Sequence, residues 1–578
     1  MILKIDGLKI YEDGSLEGNL TGSDILTKYL IRAGIEYVFG VPGALMLPFL
    51  DRIYEDENID MIQATHEQSA AFMADGYARI RGISACCGTM GPGALNLVTG
   101  VASAYMDSVP IIVITSQVYA SDIGKGACQE GTGEGRTPNH NKIFESITKY
   151  SVRIQTVDQL PLFVEKAIRI AKAGRPGPVH LDIPANIFLE SAYVRICPNK
   201  NLQLLPDNIV NSSSSIEEMF DVLDEAKFPI ILSGNGVRIS NSHSYLLELV
   251  KTLNIPVATT YMGKGSFPEE HSLALGCIGA YGQEIANKIV FEECDCILAL
   301  GVSFQEFATF GWRKELSSKK IIQIDIDVSE IGKNYPVAVG INADLRTILP
   351  QILKQTRLAS FNKRFNFEEL VSGLKDKYGY YSYRFVSNNS TLQPEEAIME
   401  ISNFVNSNDI VCVDVGEHAY WTQLLIKSNS PNSFIINGGL GSMGHGIVAS
   451  VGVALAADKG SKVFCICGDG GFLMTGNSVN TAVKYKIPVI WCIINNSCYG
   501  ANKRLQETML KKRFIGTELP SVDFASYSTS LGATGYTVEN TIELNSAINK
   551  ACKSNVPVVI DILVDKEAGP SKRKKINQ

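Results

Sequence analysis

The chain has 578 residues, a formal net charge of −7, 45% hydrophobic residues and 20% charged residues. This length exceeds the size at which one hydrophobic core stops growing, so we expect about three domains of roughly 150–200 residues each. The mild negative charge gives no reason to expect nucleic-acid binding, and no apolar run approaches the roughly 18–20 residues that a membrane-spanning helix needs.

The N-terminal residues and the cysteines both favour a cytoplasmic protein. The first residues, MILKIDGLKIYEDG, lack the apolar segment of a secretory signal. The thirteen cysteines do not have the spacing of a disulfide framework in a small secreted domain. The pairs Cys294/Cys296 and Cys465/Cys467 lie within apolar runs, so we interpret them as small core residues in a reducing environment.

Short apolar runs alternate with helical patterns along the whole chain. The runs cover residues 37–41, 111–114, 179–183, 230–232, 296–300, 321–326, 410–415, 463–467, 489–494 and 558–564. This alternation predicts an α/β fold with three doubly wound, parallel-sheet domains. Polar stretches at 198–215 and 358–392 place the domains at 1–195, 205–355 and 385–578.

The first candidate functional residue is a glutamate near the start of a predicted helix. The segment from Thr65 to Arg79 follows a short predicted strand over 60–64 and carries small residues on one helical face. Glu67 lies in the first turn, where a carboxylate interacts favourably with the helix dipole. From the residues alone, a structural role and a functional role for Glu67 both remain open.

A glycine-rich loop follows the predicted strand at 111–114. It contains the segment GACQE, with Gln129, and then GTGEGRTPNHNK. Arg136, His140 and Lys142 suit contacts with an anionic substrate, but a solvated loop is the interpretation that we favour for them.

The central domain carries a weak nucleotide signal. The segment from Ser233 to Arg238 follows a predicted strand and contains two glycines of a dinucleotide fingerprint, without the third. A second strand ends in the acidic pair Asp325 and Asp327. These features allow FAD or ADP to bind in the central domain, but they do not favour it.

In the C-terminal domain, two polar side chains end neighbouring predicted strands. Asp469 follows the run at 463–467, a helix is predicted over 473–485, and Asn496 follows the run at 489–494. A right-handed βαβ crossover brings both strand ends to one edge of the sheet. Carboxylate and amide oxygens suit Mg²⁺, and Gly470 and Gly471 allow phosphate oxygens to approach the backbone. The sequence therefore predicts a Mg²⁺–diphosphate site.

This motif, GDG followed about 25 residues later by NN, resembles that of thiamine diphosphate-dependent enzymes. The segment NGGLGSMGHGIVASVGVALA, from Asn437 to Ala456, is similar to the glycine-rich segment of their acetohydroxyacid (acetolactate) synthase branch. The resemblance extends from about Leu20 to Val564. It implies an N-terminal pyrimidine-binding domain, a central domain and a C-terminal diphosphate-binding domain.

The resemblance also assigns roles to individual residues. It implies that Glu67 activates the cofactor through the pyrimidine ring and that Gln129 faces the reacting carbonyl. It implies Asp469, Asn496 and the Cys498 carbonyl as metal ligands, and Met443 as the side chain that holds the cofactor in a V shape. The cofactor contacts that it implies are Val41, Pro42, Glu67, His418, Gly441, Met443, Asp469, Gly470, Gly471, Asn496 and Tyr499.

Three positions depart from the family pattern. Glu417 stands where relatives commonly have glutamine, and a carboxylate beside a diphosphate is unfavourable, so we do not expect Glu417 to contact it directly. Cys128 replaces an aromatic residue before Gln129, which leaves the substrate pocket undefined. His445 stands where relatives often carry an aromatic residue, and its role is open.

The resemblance implies a thiamine diphosphate- and Mg²⁺-dependent carboligase. Such an enzyme decarboxylates a pyruvate-like 2-keto acid and transfers the acyl carbanion to a second carbonyl. It implies a homodimer or homotetramer with active sites between subunits, and neither a nucleic-acid nor a membrane partner. The alternatives are a decarboxylase that does not ligate, acting on a 2-keto acid or an acyl-CoA, and a specialised C–C lyase or ligase of the same family. A non-catalytic scaffold and a flavin or nicotinamide oxidoreductase are less favoured.

Overall fold

The computed structural model describes residues 3–5, 8–197, 213–358, 366–381 and 391–569. The predicted linkers, 198–215 and 358–392, lie largely outside these ranges. The domain boundaries therefore stay predictions, although each predicted domain contains one six-stranded sheet.

The N-terminal domain is built on a parallel sheet with the strand order β5-β4-β6-β7-β9-β8. Strands β1, β2, β3 and β10 form a separate antiparallel sheet. The strands are β1 (Leu3–Ile5), β2 (Leu8–Ile10), β3 (Leu16–Thr21), β4 (Tyr37–Gly40), β5 (Asp60–Gln63), β6 (Ser84–Gly88), β7 (Ile111–Gln117), β8 (Tyr150–Arg153), β9 (Val179–Pro184) and β10 (Ser191–Ile196). The helices are α1 (Gly22–Arg32), α2 (Leu47–Tyr54), α3 (Glu67–Arg81), α4 (Pro92–Met106), α5 (His140–Glu145), α6 (Leu160–Lys172) and α7 (Ala185–Leu189).

The central domain has a parallel sheet in the order β13-β12-β11-β14-β15-β16. Its strands are β11 (Pro229–Ser233), β12 (Val257–Thr259), β13 (Ala274–Cys277), β14 (Cys296–Leu300), β15 (Lys320–Asp325) and β16 (Val339–Asn342). The helices are α8 (Ser213–Glu225), α9 (Asn235–Ile239), α10 (His243–Leu253), α11 (Glu284–Asn287), α12 (Glu306–Thr309), α13 (Leu345–Leu358) and α14 (Phe367–Tyr378).

The C-terminal domain has a parallel sheet in the order β18-β17-β19-β20-β22-β21. Its strands are β17 (Ile410–Val413), β18 (Phe434–Ile436), β19 (Val463–Gly468), β20 (Val489–Asn495), β21 (Thr534–Val538) and β22 (Val558–Leu563). The helices are α15 (Pro394–Ser402), α16 (Glu417–Leu425), α17 (His445–Ala456), α18 (Asp469–Thr475), α19 (Val479–Lys484), α20 (Gly500–Met509), α21 (Phe524–Ser530) and α22 (Thr541–Cys552). Three parallel α/β sheets confirm the predicted fold class.

One hydrophobic core joins the N- and C-terminal domains, and helices α3 and α17 pack against each other within it. The helices approach closely because each has a glycine at the crossing. A Cβ at Gly76 would lie 2.1 Å from the Ala449 carbonyl oxygen, and one at Gly452 would lie 1.9 Å from that of Met73. This crossing fixes how α3, which begins at Glu67, sits against the C-terminal sheet.

The continuous helix predicted over 473–485 is wrong. Helix α18 begins at Asp469, directly after β19, and ends at Thr475. A 3₁₀ turn over 476–478 separates it from α19. Gly476 is a weak helix former, and the hydroxyl of Ser478 donates to the Thr475 carbonyl oxygen at 2.6 Å, so a 3₁₀ turn interrupts the helix that was expected to be unbroken.

Candidate active site

Asp469 and Asn496 lie on neighbouring strand ends and line the same cavity, together with Cys498. Asp469 is 3% exposed, and its Oδ1 accepts a hydrogen bond of 2.8 Å from the Gly470 N–H. Its Oδ2 is buried and accepts no hydrogen bond from the described part of the chain. Burial raises the pKa of Asp469 to about 6. A buried carboxylate oxygen beside an amide side chain is a suitable donor set for Mg²⁺.

The surroundings of the two glycines after Asp469 leave no space for a side chain at either position. A Cβ at Gly470 would lie 2.5 Å from the Tyr499 ring, and one at Gly471 would lie 2.3 Å from Asp414 Oδ2. Tyr499 also lines the cavity. Gly470 and Gly471 themselves line the cavity at the N-terminal end of α18, where backbone N–H groups favour an anion.

Asp414 fixes the loop that carries the glycine-rich segment. Its two carboxylate oxygens each accept a 3.0 Å hydrogen bond, from the N–H groups of Gly444 and Gly446. Burial raises the pKa of Asp414 to about 6. Met443 lies in this loop and lines the cavity, while Gly441, with φ of +69°, donates its N–H to Asn437 Oδ1 at 3.3 Å. The predicted run at 410–415 contained Asp414 without assigning it a role, whereas the strand ends at Val413 and Asp414 follows it directly.

His418 and Glu417 begin helix α16, and both line the cavity. His418 Nε2 lies 2.9 Å from the Asp414 carbonyl oxygen. Burial lowers the pKa of His418 to about 4, so the ring is neutral near pH 7. The sequence argued against a direct contact between Glu417 and a diphosphate, yet the structure puts Glu417 in the wall of the cavity.

A second group of predicted site residues surrounds the segment 89–93, which comprises the loop after β6 and the first two residues of α4. Glu67 is 8% exposed, and its Oε2 accepts a 3.0 Å hydrogen bond from Asn96. A Cβ at Gly93 would lie 3.3 Å from Glu67 Oε1, and one at Gly91 would lie 2.9 Å from the Gln129 Cβ. The structure therefore brings Glu67 and Gln129 to the same loop.

The turn after β4 packs on this loop as well. It contains Val41 and Pro42, and a Cβ at the following Gly43 would lie 2.3 Å from the Thr89 Cβ. We call Val41, Pro42, Glu67 and Gln129 the N-terminal half-site. The residues that line the cavity around Asp469 form the C-terminal half-site.

The two half-sites do not form one pocket within a single described chain. Every described residue that lines the C-terminal cavity lies between Val415 and Asn502. None of the four residues of the N-terminal half-site is among them. Within the described residues, the cavity around Asp469 is thus lined by the C-terminal domain alone.

His140 differs in solvent exposure from Arg136 and Lys142, the two basic residues predicted to share its loop. Arg136 and Lys142 are exposed, as expected for a solvated loop, whereas His140 is fully buried. Its Nε2 accepts a 3.2 Å hydrogen bond from the Gly91 N–H, and its Nδ1 lies 3.8 Å from Asp182 Oδ1. His140 thus supports the loop beside Gln129 from behind.

His445 belongs to a buried ionic network between the N- and C-terminal domains. Its Nε2 lies 2.9 Å from Asp75 Oδ1, and Arg79 bridges Asp75 and Asp107. Burial opposes ionisation of Asp75, but Arg79 and His445 hold its pKa well below its usual range. Asp107 in turn accepts a 2.8 Å hydrogen bond from the Gly439 N–H, so the network anchors the loop that leads to Met443.

A separate cavity of about 160 Å³ lies beside the central sheet and is bordered by all three domains. Gly236 and Asp325, the two sequence features of the weak nucleotide signal, both line it. Burial raises the pKa of Asp325 to about 6. The expectation that no flavin occupies the central domain stays a prediction.

Comparison with known proteins decides the family. Three models match the chain: the N-terminal TPP-binding domain of thiamine pyrophosphate enzymes over residues 20–135, their central domain over 216–352, and their C-terminal TPP-binding domain over 414–562. The chain belongs to the thiamine pyrophosphate enzyme family. It is therefore a thiamine diphosphate-dependent enzyme, and both half-sites lie within or beside the matched cofactor-binding domains.

Within this thiamine pyrophosphate enzyme family, the chain is similar to acetolactate synthase large subunits. It is 36% identical over 557 residues to a probable large subunit from Methanocaldococcus jannaschii, covering 94% of this chain and 92% of the relative. It is 35% identical over 562 residues to one from Methanococcus aeolicus, with the same coverage. It is 31% identical over 553 residues to the large subunit from Lactococcus lactis, covering 95% of this chain and 94% of that protein.

No helix in the described ranges combines the length and the apolar character that crossing a membrane would require.

Proposed function

We propose that this protein is a Mg²⁺-dependent carboligase of the acetolactate synthase type, acting on a pyruvate-like 2-keto acid and a second carbonyl compound. The observation that carries the proposal is Asp469, which lines the same cavity as Asn496 and Cys498 and whose Oδ2 is buried without a hydrogen-bond partner in the described part of the chain. The full-length similarity to acetolactate synthase large subunits supports the carboligase reaction over simple decarboxylation.

The residues of the C-terminal half-site would hold the metal and the diphosphate. Asp469, Asn496 and the Cys498 carbonyl are the proposed Mg²⁺ ligands, and Gly470 and Gly471 line the same cavity. The neutral ring of His418 adds no charge beside a diphosphate. Bound thiamine diphosphate supplies an electron sink for decarboxylation and for transfer of the acyl group.

The residues of the N-terminal half-site would control protons and the substrate. Glu67 is the proposed proton-exchanging group at the pyrimidine ring, and Asn96 keeps its carboxyl oriented. Gln129 is the proposed contact to the reacting carbonyl, and the positive φ of 63° at this residue fixes the turn that presents it. Met443 is proposed to hold the two cofactor rings close together.

The separation of the half-sites supports a homodimer or homotetramer in which each active site combines two subunits. In that arrangement, Glu67 of one subunit acts on a cofactor held by Asp469 of another. A cytoplasmic location remains part of the proposal, because all thirteen cysteines are free thiols, which suits a reducing compartment.

The test is incubation of the purified protein with Mg²⁺, thiamine diphosphate and a panel of 2-keto acids, with mass spectrometry of the products. A ligated hydroxy-keto product supports the proposal. Carbon dioxide with free aldehyde alone would favour the decarboxylase alternative. Visible flavin absorbance of the same preparation would overturn the expectation of an empty central domain.

A further inference from the structure

Glu417 places a carboxylate in the cavity that we assign to the cofactor. It is the first residue of α16, and its side chain reaches the start of α20. A Cβ at Gly500 would lie 2.2 Å from Glu417 Oε2 and 3.1 Å from Asn496 Nδ2. The carboxylate therefore lies close to a proposed metal ligand, in a segment that resembles the family's diphosphate-flanking segment.

A carboxylate at this position would repel a diphosphate unless a cation compensates it. Both groups are negative near neutral pH, and the cavity wall screens their repulsion less than bulk water does. The family segment that this stretch resembles has an uncharged glutamine at this position. This chain needs another solution if it binds the same cofactor.

Arg504 supplies the compensating charge. Its Nε lies 3.4 Å from Glu417 Oε1, and the two side chains are 11% and 8% exposed. The C-terminal segment holds the guanidinium in place, because Arg504 donates hydrogen bonds to the carbonyl oxygens of Lys566 and Ala568. Arg504 Nε is thus held beside Glu417 Oε1, whereas Glu417 Oε2 lies beside Gly500.

We propose that Glu417, in the wall of the diphosphate site, and Arg504, behind it, act as one neutral unit, and that Arg504 is the positioning residue that makes Glu417 compatible with the cofactor. This inference rests on the proposed function. The pair replaces a neutral side chain by two opposite charges whose sum is zero. The affinity for thiamine diphosphate then depends on the pair and not on either charge alone.

The experiment is a double-mutant cycle on the full-length protein, read by calorimetric titration with thiamine diphosphate in the presence of Mg²⁺. Arg504→Gln leaves the carboxylate uncompensated, so the dissociation constant rises at least about tenfold. Glu417→Gln removes the repelling charge and leaves the affinity unchanged or tighter. The double variant Glu417→Gln/Arg504→Gln restores affinity to within about threefold of the wild type.

Two further variants separate this pair from general damage to the helix. Glu507→Gln removes another acidic partner of Arg504, also 3.4 Å away, that does not line the cavity, and the affinity stays unchanged. Arg504→Lys keeps the charge and recovers most of the affinity lost in Arg504→Gln. Added salt narrows the difference in affinity between Arg504→Gln and the wild type, because salt screens the repulsion between Glu417 and the diphosphate that remains in the variant.

Several results would overturn the inference. A double variant as weak as Arg504→Gln would show that Arg504 acts by holding the C-terminal segment or by contacting the cofactor itself. A large loss in Glu417→Gln alone would make Glu417 a direct metal or cofactor ligand. Wild-type protein that binds no thiamine diphosphate would contradict the proposed function and the pair with it, whereas normal wild-type binding with Arg504→Gln unchanged would contradict the pair alone.

Discussion

Glu67 and Asp469 are both buried carboxylates, but their surroundings suit them to different tasks. Asp469 keeps an oxygen that is buried without a hydrogen-bond donor in the described part of the chain, which favours a bound cation. Glu67 has one oxygen held by Asn96, which fixes its direction without supplying a counter-charge. The first arrangement suits metal binding, and the second suits exchange of a proton.

Replacement of Glu67 by glutamine separates these tasks. Glutamine keeps the shape and an acceptor for Asn96 but cannot exchange the proton, so turnover of a 2-keto acid falls at least about a hundredfold. Binding of thiamine diphosphate, measured by calorimetry, stays within a few-fold of the wild type. Glu55→Gln, at an exposed position of the same domain, serves as the control. Undiminished turnover in Glu67→Gln would reject the assigned role.

Asp325 gives a pH-dependent prediction at the tip of a central strand. Burial raises its pKa to about 6 from the ordinary value of 3.8. The folded state therefore binds this proton more tightly than the unfolded state. The contribution of protonated Asp325 to the stability of the fold is complete below pH 3.8 and is lost as the pH rises through about 6. Asp325→Asn does not titrate, so its stability relative to the wild type increases between about pH 4 and pH 7.5, by at most about 3 kcal/mol.

Urea unfolding at several pH values measures this difference. The matched control is Asp327→Asn, because hydrogen bonds from Ser329 and the neighbouring Arg175 lower the pKa of Asp327. A lowered pKa stabilises the fold above the ordinary value, so this variant is less stable than the wild type at neutral pH and the difference shrinks in acid. Equal pH profiles for the two variants would contradict both assignments.

At the scale of elements, the crossing of α3 and α17 links cofactor chemistry to domain packing. Helix α3 begins with Glu67, and α17 follows the loop that contains Met443. The ionic network of Asp75, Arg79 and His445 lies between the same two helices. A change at this crossing therefore moves elements of both half-sites together.

Gly452→Ala tests how tight this crossing is. The added methyl group would lie 1.9 Å from the Met73 carbonyl oxygen, so the helices must separate, and we expect a loss of about 3 kcal/mol or more in the free energy of unfolding. The control is Gly373→Ala in α14, where a Cβ would meet nothing within 4 Å. That change stabilises the protein by up to about 1 kcal/mol, because alanine is the better helix former. A neutral Gly452→Ala variant in thermal unfolding would show that the helices pack less closely.

At the scale of the whole molecule, the separate half-sites lead to a complementation experiment. In a mixed dimer of Glu67→Gln and Asp469→Ala chains, one site combines the two intact residues and the other combines the two altered ones. Random mixing of two inactive dimers after mild dissociation therefore restores about one quarter of the wild-type activity. Activity that stays at the level of the separate variants would place each complete site within one chain.

The sequence by itself determined the fold class and the meeting of Asp469 and Asn496 at one edge of the C-terminal sheet. Parallel strands point their carboxyl ends to one edge, so the residues after two consecutive strands, Asp469 and Asn496, had to meet there. It also identified Glu67 and Gln129, but only through family resemblance, since a glutamate at a helix start has an ordinary structural explanation.

Only the tertiary structure decided which side chains support the site and which line it. His140, Asp414 and Arg504 act through partners that are distant in the chain, such as Gly91, Gly444 and Glu417. Sequence periodicity reports which face of an element is apolar, but it does not report which polar groups meet across elements. Those contacts depend on the docking of sheets and helices, and one of them pairs Glu417, which lines the cavity, with Arg504, which does not.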